Sequence, residues 1–437
     1  MHPYVYSALA PFLMSALGIS TCGLIAAVGS AILFARLMRH SDRPMLASLT
    51  GAFFWAANIA SGRVTFALGA LAALGALVAL PRLRLAAVLA LLTGLLSPVA
   101  AAFLGFIAAL LVVHRRTGGW TIGAAASVPV VVLAGLFHGG GIQPMSPGSA
   151  VPGVLVGLAL AYFTSHPLVR TGSLLYALAV LGFALHDDPF GSNVLRLGLL
   201  VSVPLLLATT ARRTPVVLAV VSCGFLAWQL DPLVGDLLSP PSAPFTALNQ
   251  HLREVGSHRV EVLAGRDHRE ASDVAEVMPI ARGWARQIDV RDNPLFYRPE
   301  PLTQPEYLTW LRERAIDRVA VPKRGKLDFG SVLAAALLQR PVKGLSLEWQ
   351  NADWVVYRVD RPRTIVALPG VLEHYDRTTL ALRSSQAGPV AVAVRPSRWL
   401  SLSGPACLDV KGNQVLVRFL APGRVELTSS LRPAGRC

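Results

Sequence analysis

The sequence predicts a polytopic α-helical membrane domain of about ten transmembrane helices, followed by an extracytoplasmic α/β domain and a β-sandwich-like region. Three observations carry that expectation. Of the 437 residues, 53% are hydrophobic and only 15% charged, against about 25% charged in soluble domains. The shortfall is confined to one half. Residues 1–230 hold 12 Arg, no Lys and three acids (Asp42, Asp187 and Asp188), whereas residues 231–437 hold 28 Lys and Arg with 22 acids. Finally, the first half is cut into apolar runs by short polar breaks, and the second reads as short alternating strands between Gly and Pro breaks. The expected organisation is a helical domain over 1–237, a Pro/Ser linker over 238–246, an α/β domain over 247–362 and a β-rich domain over 363–437. A disordered chain, a secreted miniprotein and a single soluble enzyme domain are excluded. The net charge of +15 invites a nucleic-acid reading. Arg outnumbers Lys 36 to 4, however, and the arginines of the first half sit at helix ends, where membrane topology accounts for them. No nucleic-acid partner is expected.

The apolar runs are Ile19–Ala35, Met45–Ala60, Val64–Leu80, Leu85–Leu96, Val99–Val113, Thr121–Phe137, Val151–Phe163, Ser173–Leu185, Leu197–Thr210 and Val216–Leu230. Several fall short of the roughly 20 residues that cross about 30 Å of hydrocarbon. Their ends must extend into the breaks, or some pairs form re-entrant hairpins. The pair separated only by Leu96-Ser97-Pro98 is the most ambiguous.

Arginine placement sets the orientation. Alternate loops hold Arg36, Arg39 and Arg43; Arg82 and Arg84; Arg115 and Arg116; Arg170; and Arg212 and Arg213. The intervening loops hold only Arg63 and Arg196. The first set is cytoplasmic by this rule, so the last helix exits outward and everything after Asp231 is extracytoplasmic. Residues 1–18 lack a basic n-region and a cleavage site, and they read as the middle of a loop leading into a helix.

In the charged half, Arg259–Leu263 reads as a strand, and Glu306–Arg314 as a helix running into the strand Arg318–Pro322. Ser346–Val359 reads as a hairpin around an Asn-Ala-Asp turn. From Thr364 onward, VAVAVRPSRWL, NQVLVRFL and GRVELTSSL suit an all-β sandwich. Cys22 and Cys223 fall in membrane helices as packing residues. Cys407 and Cys437 share the β region on the oxidising side and are expected to form a disulfide; the alternative is two free thiols. No CxxC or HxxxH spacing supports zinc.

No Walker loop, dinucleotide turn, GxSxG elbow or HExxH helix stands in a suitable context, which removes ATP-driven pumps and the common soluble hydrolases. The outer loop HDDPFGSNVLRLG (His186–Gly198) holds the carboxylates Asp187 and Asp188. They can hold a divalent cation such as Mg or Mn, or serve as acid or base. Asn193 and Arg196 open the next helix, where backbone N–H groups and a guanidinium suit a phosphate. The same residues also suit a solvated loop with an N-cap at Ser192 or Asn193. Arg63 either snorkels to headgroups or joins a substrate site. The loop Phe137–Ala150 carries His138 as a polar contact, or is only a connection. In the second half, Arg282, Trp284, Arg286, Gln287, Asp289, Asn293 and Tyr297 suit a sugar or phosphate acceptor. They equally suit docking of the domain onto the membrane half.

The segments SGRVTFALG, LSPVAAAFLG, DDPFGSNVLRL, HREASDVAEVMPIARGWARQID, NPLFY, YLTWLRERAIDRVAVP and WVVYRV together resemble the large polytopic membrane proteins of actinobacteria related to GT-C glycosyltransferases. The resemblance runs from about Ile19 to Val359. It implies an outer-face enzyme that takes sugar from a polyprenyl-phosphate donor for a cell-envelope glycan acceptor, with the bilayer as its setting. The family's catalytic carboxylate lies in the first extracytoplasmic loop. Here no acid precedes Asp42, itself placed as cytoplasmic, as if the chain started one or two helices late, so no catalytic base carries over. Asn193 and Arg196 match the G-S-N-x-x-R signature as donor-phosphate contacts. Asp187 and Asp188 are the acids placed to activate an acceptor hydroxyl. A transporter or flippase, and a non-catalytic envelope scaffold, remain the alternative readings.

Overall fold

A computed structural model describes residues 7–137, 140–210, 215–376, 378–412 and 414–437. The chain divides between Leu238 and Ser239 into two compact units, one helical and one built on sheets.

The helical unit runs α1 (Ala10–Leu17), α2 (Ile19–Met38), α3 (Pro44–Ala60), α4 (Val64–Val78), α5 (Leu83–Leu96), α6 (Pro98–Val113), α7 (Gly119–Leu136), α8 (Pro147–Phe163) and α9 (Pro167–Leu185). A 3-10 turn (Gly191–Val194) then leads into α10 (Leu195–Ala208), and α11 (Pro215–Leu237) closes the unit. Among the described residues, five helices are long and apolar enough to cross a membrane: Ile19–Met38, Gly119–Leu136, Pro167–Leu185, Gly191–Ala208 and Val216–Leu237. Five shorter apolar helices accompany them. A helix stands at each of the ten apolar runs, but two bounds move for local reasons. Pro167, pre-set for the first helical turn, starts α9 before Arg170, so that arginine lies inside a helix. The last helix continues past Leu230 through Asp231 and Pro232 to Leu237.

The helices are apolar on every side, and large side chains such as Val216, Leu185 and Val131 stay exposed, as suits a hydrocarbon surround. Small residues let backbones approach. A Cβ on Gly94 would lie 2.5 Å from the Ala126 carbonyl oxygen. Between α5 and α6, Ser97 is extended and its hydroxyl accepts from Ala100 N–H at 3.3 Å. The Leu95 carbonyl left over at this break accepts from Ser7 Oγ and the N–H groups of Ala8 and Leu9.

Helices α3 and α10 pack antiparallel, which defines two ends of this unit. At one, Arg43 donates to the Thr210 carbonyl at 3.0 Å, Thr164 Oγ1 to Thr209 Oγ1 at 2.7 Å, and Arg170 to the Thr164 carbonyl at 3.2 Å. At the other lie the α3–α4 turn with Arg63 and the start of α10 with Arg196. Pro204 interrupts the hydrogen-bond ladder inside α10. Gln229 of α11 braces the preceding turn: its Oε1 accepts from Val203 N–H at 3.3 Å, and its Nε2 donates to the Gly198 and Leu199 carbonyls at 3.3 and 2.7 Å.

The sheet unit contains α12 (Thr246–Glu254), β1 (Val260–Val262), α13 (Glu270–Asp273), α14 (Arg286–Asp292), α15 (Gln304–Glu313), β2 (Arg318–Pro322), α16 (Val332–Leu337), β3 (Leu345–Gln350) and β4 (Trp354–Val359). Its first sheet has the order β1-β2-β4-β3, with β1 and β2 parallel and the other pairs antiparallel. Thr303 and Glu306 form a capping box at the start of α15. Asn351 Oδ1 accepts from the N–H groups of Asp353 and Trp354 and so closes the β3–β4 hairpin.

Seven strands follow: β5 (Gly370–Tyr375), β6 (Leu380–Ser384), β7 (Gly388–Val392), β8 (Leu400–Ser403), β9 (Ala406–Lys411), β10 (Gln414–Phe419) and β11 (Gly423–Ser429). They form two antiparallel sheets, β5-β6-β11-β8 and β7-β10-β9. Alternating residues of both, such as Leu382 and Leu427 against Val390 and Val417, share one apolar core. Cys407 on β9 is disulfide-bonded to Cys437, with Cα atoms 4.9 Å apart. Cys437 N–H also donates to the Leu408 carbonyl at 3.1 Å, so the last residues lie along β9. Cys22 is buried in α2, and Cys223 is exposed on α11.

Candidate functional site: an arginine cleft in the helical unit

Arg63 and Arg196, 133 positions apart, line one small cleft together with Phe54, Asn58, Gln229 and Pro232. The fold brings them together because Arg63 caps the start of α4, just past the end of α3, while Arg196 lies in the first turn of α10, beside that end of α3. The Arg196 guanidinium lies 5.7 Å from the centroid of the Phe66 ring, so one of its faces is covered by an aromatic. Asn58 is 95% buried, and its side-chain Nδ2 has no hydrogen-bond partner. A buried amide donor without an acceptor costs about 1–3 kcal/mol, a cost that an incoming acceptor would remove. The cavity itself measures about 30 Å³, room for a water or a single oxyanion group rather than a whole substrate.

The other candidates of the His186–Gly198 loop face elsewhere. Asp188 Oδ1 accepts from the N–H groups of Phe190 and Gly191 at 2.6 and 3.0 Å, capping its own loop, while its buried Oδ2 has no partner. Asp187 is exposed. Asn193 is buried and donates from Nδ2 to the Phe190 carbonyl at 2.8 Å. None of the three lines the cleft. The loop is fastened to the α7–α8 connection: Gln143 N–H donates to the Asp188 carbonyl at 2.9 Å, and its Nε2 to Ser192 Oγ at 3.1 Å. Gly191 sits at φ +39°, and a Cβ there would stand 1.8 Å from the Gln143 carbonyl oxygen, so only glycine fits. His138, Arg212 and Arg213 lie outside the described residues. Among the described residues, no group of three or more His, Cys, Asp and Glu side chains is placed to hold a metal ion.

In the sheet unit, the predicted Arg and aromatic cluster forms an internal network. Arg282 donates from Nε to Glu261 Oε1 at 2.9 Å, and from one terminal nitrogen to Asp289 Oδ2 at 3.3 Å and the Gly330 carbonyl at 2.9 Å. Its guanidinium stacks 4.1 Å from the Phe296 ring centroid. Tyr297 Oη and Asn293 Nδ2 donate to the two oxygens of Asp289 at 2.6 Å each, and Trp310 Nε1 donates to Asn293 Oδ1 at 2.9 Å. Burial, offset in part by Arg282, pushes the Glu261 carboxyl up to about 7, and burial beside Asp289 raises the Tyr297 phenol.

Arg286 pairs with Asp328, whose other oxygen accepts from Gly330 N–H at 3.0 Å. Trp284 projects outward, 56% exposed. His268 meets Glu270 through Nδ1 at 3.1 Å and Asp328 through Nε2 at 3.5 Å. Burial alone would lower its pKa, but the two carboxylates more than offset this and hold it at about 9.

Sequence reasoning missed Asn58, Gln229, Glu261 and His268. The first two carried a usable signal, since an amide inside an apolar run is a functional or packing commitment by default. Glu261 carried none, because its partner Arg282 lies far along the chain, and His268 little, because only Glu270 is local and Asp328 is distant. Comparison with known protein families, with curated proteins and with solved structures finds no match to this chain.

Proposed function

We propose that the chain is a polytopic membrane protein of about ten spans with an extracytoplasmic sheet unit. We propose further that it acts as a GT-C-like glycosyltransferase, using a polyprenyl-phosphate sugar donor for cell-envelope glycan synthesis. The observation that carries this reading is the convergence of Arg63, Arg196 and the unpaired Asn58 amide on one cleft. Arg43 and Arg170 gather at the opposite end of the same helices, and an arginine-rich end faces the cytoplasm by the positive-inside rule. The cleft then opens at the outer headgroup level. A polyprenyl phosphate reaches that depth laterally, and two guanidiniums with an amide donor suit its phosphate both as ligand and as leaving group. The acceptor hydroxyl requires a base. Asp187 and Asp188, at the same end, are the carboxylates assigned to it under this reading, with Mg or Mn as an optional companion.

A second reading has its own observation: among the described residues, no carboxylate lines the cleft. That favours a protein that holds the same lipid phosphate without transferring sugar, a flippase or an envelope scaffold. Both readings are tested with protein in nanodiscs. Wild type should bind a polyprenyl phosphate, and Arg196→Lys, which keeps the charge but loses the fork, should bind about tenfold more weakly or worse. Sugar transfer from the corresponding donor, lost in Asp187→Asn or Asp188→Asn, supports the enzyme. Binding without transfer selects the second reading. No binding by wild type, or equal binding by a folded Arg196→Lys, rejects both.

A further inference from the structure

The sheet unit contains a cavity of about 960 Å³ between the end of α15 and the strands β5 and β7, of the size that holds organic ligands. Five arginines line it: Arg259, Arg312, Arg314, Arg363 and Arg395. The one carboxylate in its lining, Glu313, is exposed at the rim.

The arginines come from four places in the chain, so no single helix or loop accounts for their meeting. Arg259 precedes β1 and is 93% buried. Its guanidinium donates only to neutral oxygens: the Arg314 carbonyl, the Ala393 carbonyl at 2.9 Å and Tyr375 Oη at 2.9 Å. Arg314, just past α15, reaches the Asp292 carbonyl at 3.4 Å, and its Nε is buried with no hydrogen-bond partner. Arg395 pairs with Asp292, which also holds Arg291 at 2.7 Å, so two cations share one carboxylate. Burial, the main cause, with Arg291 and Arg259 adding to it, lowers Arg395 to about 10. Burial and the charge of Arg259 lower Arg314 as well. A folded domain keeps buried cations paired unless something else neutralises them.

We infer that this cavity binds a phosphate-bearing ligand, its phosphate seated among Arg259, Arg314 and Arg395. Phosphate supplies several acceptor oxygens to forked donors. The cavity far exceeds one phosphate, and its remaining wall of Ile365, Leu368, Val392 and Val394, edged by Thr364 and Gln414, suits the body of a phosphorylated saccharide or of a lipid headgroup. The site is separate from the Arg63–Arg196 cleft and does not depend on its function.

The test is calorimetric binding to the full chain in zwitterionic nanodiscs, with four probes: inorganic phosphate, glucose 6-phosphate, dihexanoylphosphatidylglycerol and glucose. At least one phosphate probe should bind, while glucose does not. Arg314→Gln and Arg395→Gln, which leave the buried Arg259 in place, should each weaken that binding at least about tenfold, and Arg196→Lys should not. The preferred probe identifies the source as free phosphate, sugar phosphate or lipid headgroup. Failure of every phosphate probe with wild type overturns the proposal. So does equal binding by Arg314→Gln and Arg395→Gln with unchanged melting temperatures, or binding that is lost only in Arg196→Lys.

Discussion

His268 shows how single residues in the sheet unit hold their places. It occupies a left-handed backbone position, φ +52°, and both ring nitrogens face carboxylates, Glu270 and Asp328. A doubly engaged imidazole is the charged form. With its folded pKa raised from 6.5 to about 9, the group stabilises the unit fully below pH 6.5 and loses that contribution as pH rises through 9. Asp328 acts in the opposite sense. Although burial opposes ionisation, His268, Arg286 and the Gly330 N–H hold its pKa well below the ordinary value, so its contribution is complete above about pH 4 and fades in acid. The sheet unit should therefore lose on the order of 2–3 kcal/mol of stability between pH 6.5 and 9 through this pair. In His268→Gln that alkaline slope should largely vanish. Thermal melts of both proteins across pH 5–9 check this, and parallel curves would show that the His268 pair contributes nothing.

At the scale of elements, α10 and α11 are held by an amide. Pro204 opens the α10 ladder, and Gln229 bonds to three backbone groups in the turn before it. Gln229→Leu keeps the volume and leaves a buried N–H and two carbonyls without that partner, at about 1–3 kcal/mol for each group left unpaired. The helical unit in detergent should lose roughly 4–8 °C of melting temperature or more, while Val216→Ala, on an exposed face, should lose almost none. An unchanged melt in Gln229→Leu would show that the α10 break is satisfied without it.

The same pair of helices shows what the sequence does and does not disclose. Apolar runs marked a helix at each of the ten positions, because burial in any apolar surround needs only composition. The end of α11 was misjudged, since Asp231 and Pro232 look like a stop yet sit in a helix that continues to Leu237. Strands Arg318–Pro322 and Trp354–Val359 were legible from alternation and an Asn-led turn. Strands β5 and β6 were not: they pair with each other, but the second edge of β6 is completed only by β11, far along the chain. For the same reason Arg63 and Arg196 could each be read as outward arginines, but their convergence depends on α3 packing against α10. Arg259, Arg314 and Arg395 carried no local pattern at all, and their meeting is a property of the folded sheet unit alone.

Charge asymmetry between the two halves governs the whole molecule. The five membrane-length helices suit a hydrocarbon surround, and under the proposed topology the sheet unit, with its ordinary density of charge and its Cys407–Cys437 bond, lies in water on the oxidising side. Ten crossings, with the basic loops inside, would satisfy both requirements. Arg115 and Arg116 would then face the cytoplasm and Pro240 the exterior. The two assignments are coupled, since five helices, α7–α11, lie between them and an even number of crossings would put both points on one side. A phosphatase reporter fused after Pro240 should be active, and one fused after Arg116 inactive; a reporter that folds only in the cytoplasm should give the reverse. Replacing Arg115 and Arg116 together by Gln should weaken the bias without moving the Pro240 fusion, because Arg82, Arg84 and Arg170 still hold the flanking loops. Activity at both fusions would require an even number of crossings between them, so that one of α7–α11 would not span the membrane. An inactive fusion after Pro240 would place the sheet unit in the cytoplasm. It would also remove the outer-face donor site at Arg63 and Arg196, because a cleft at the inner leaflet cannot meet an outward-facing lipid-linked sugar.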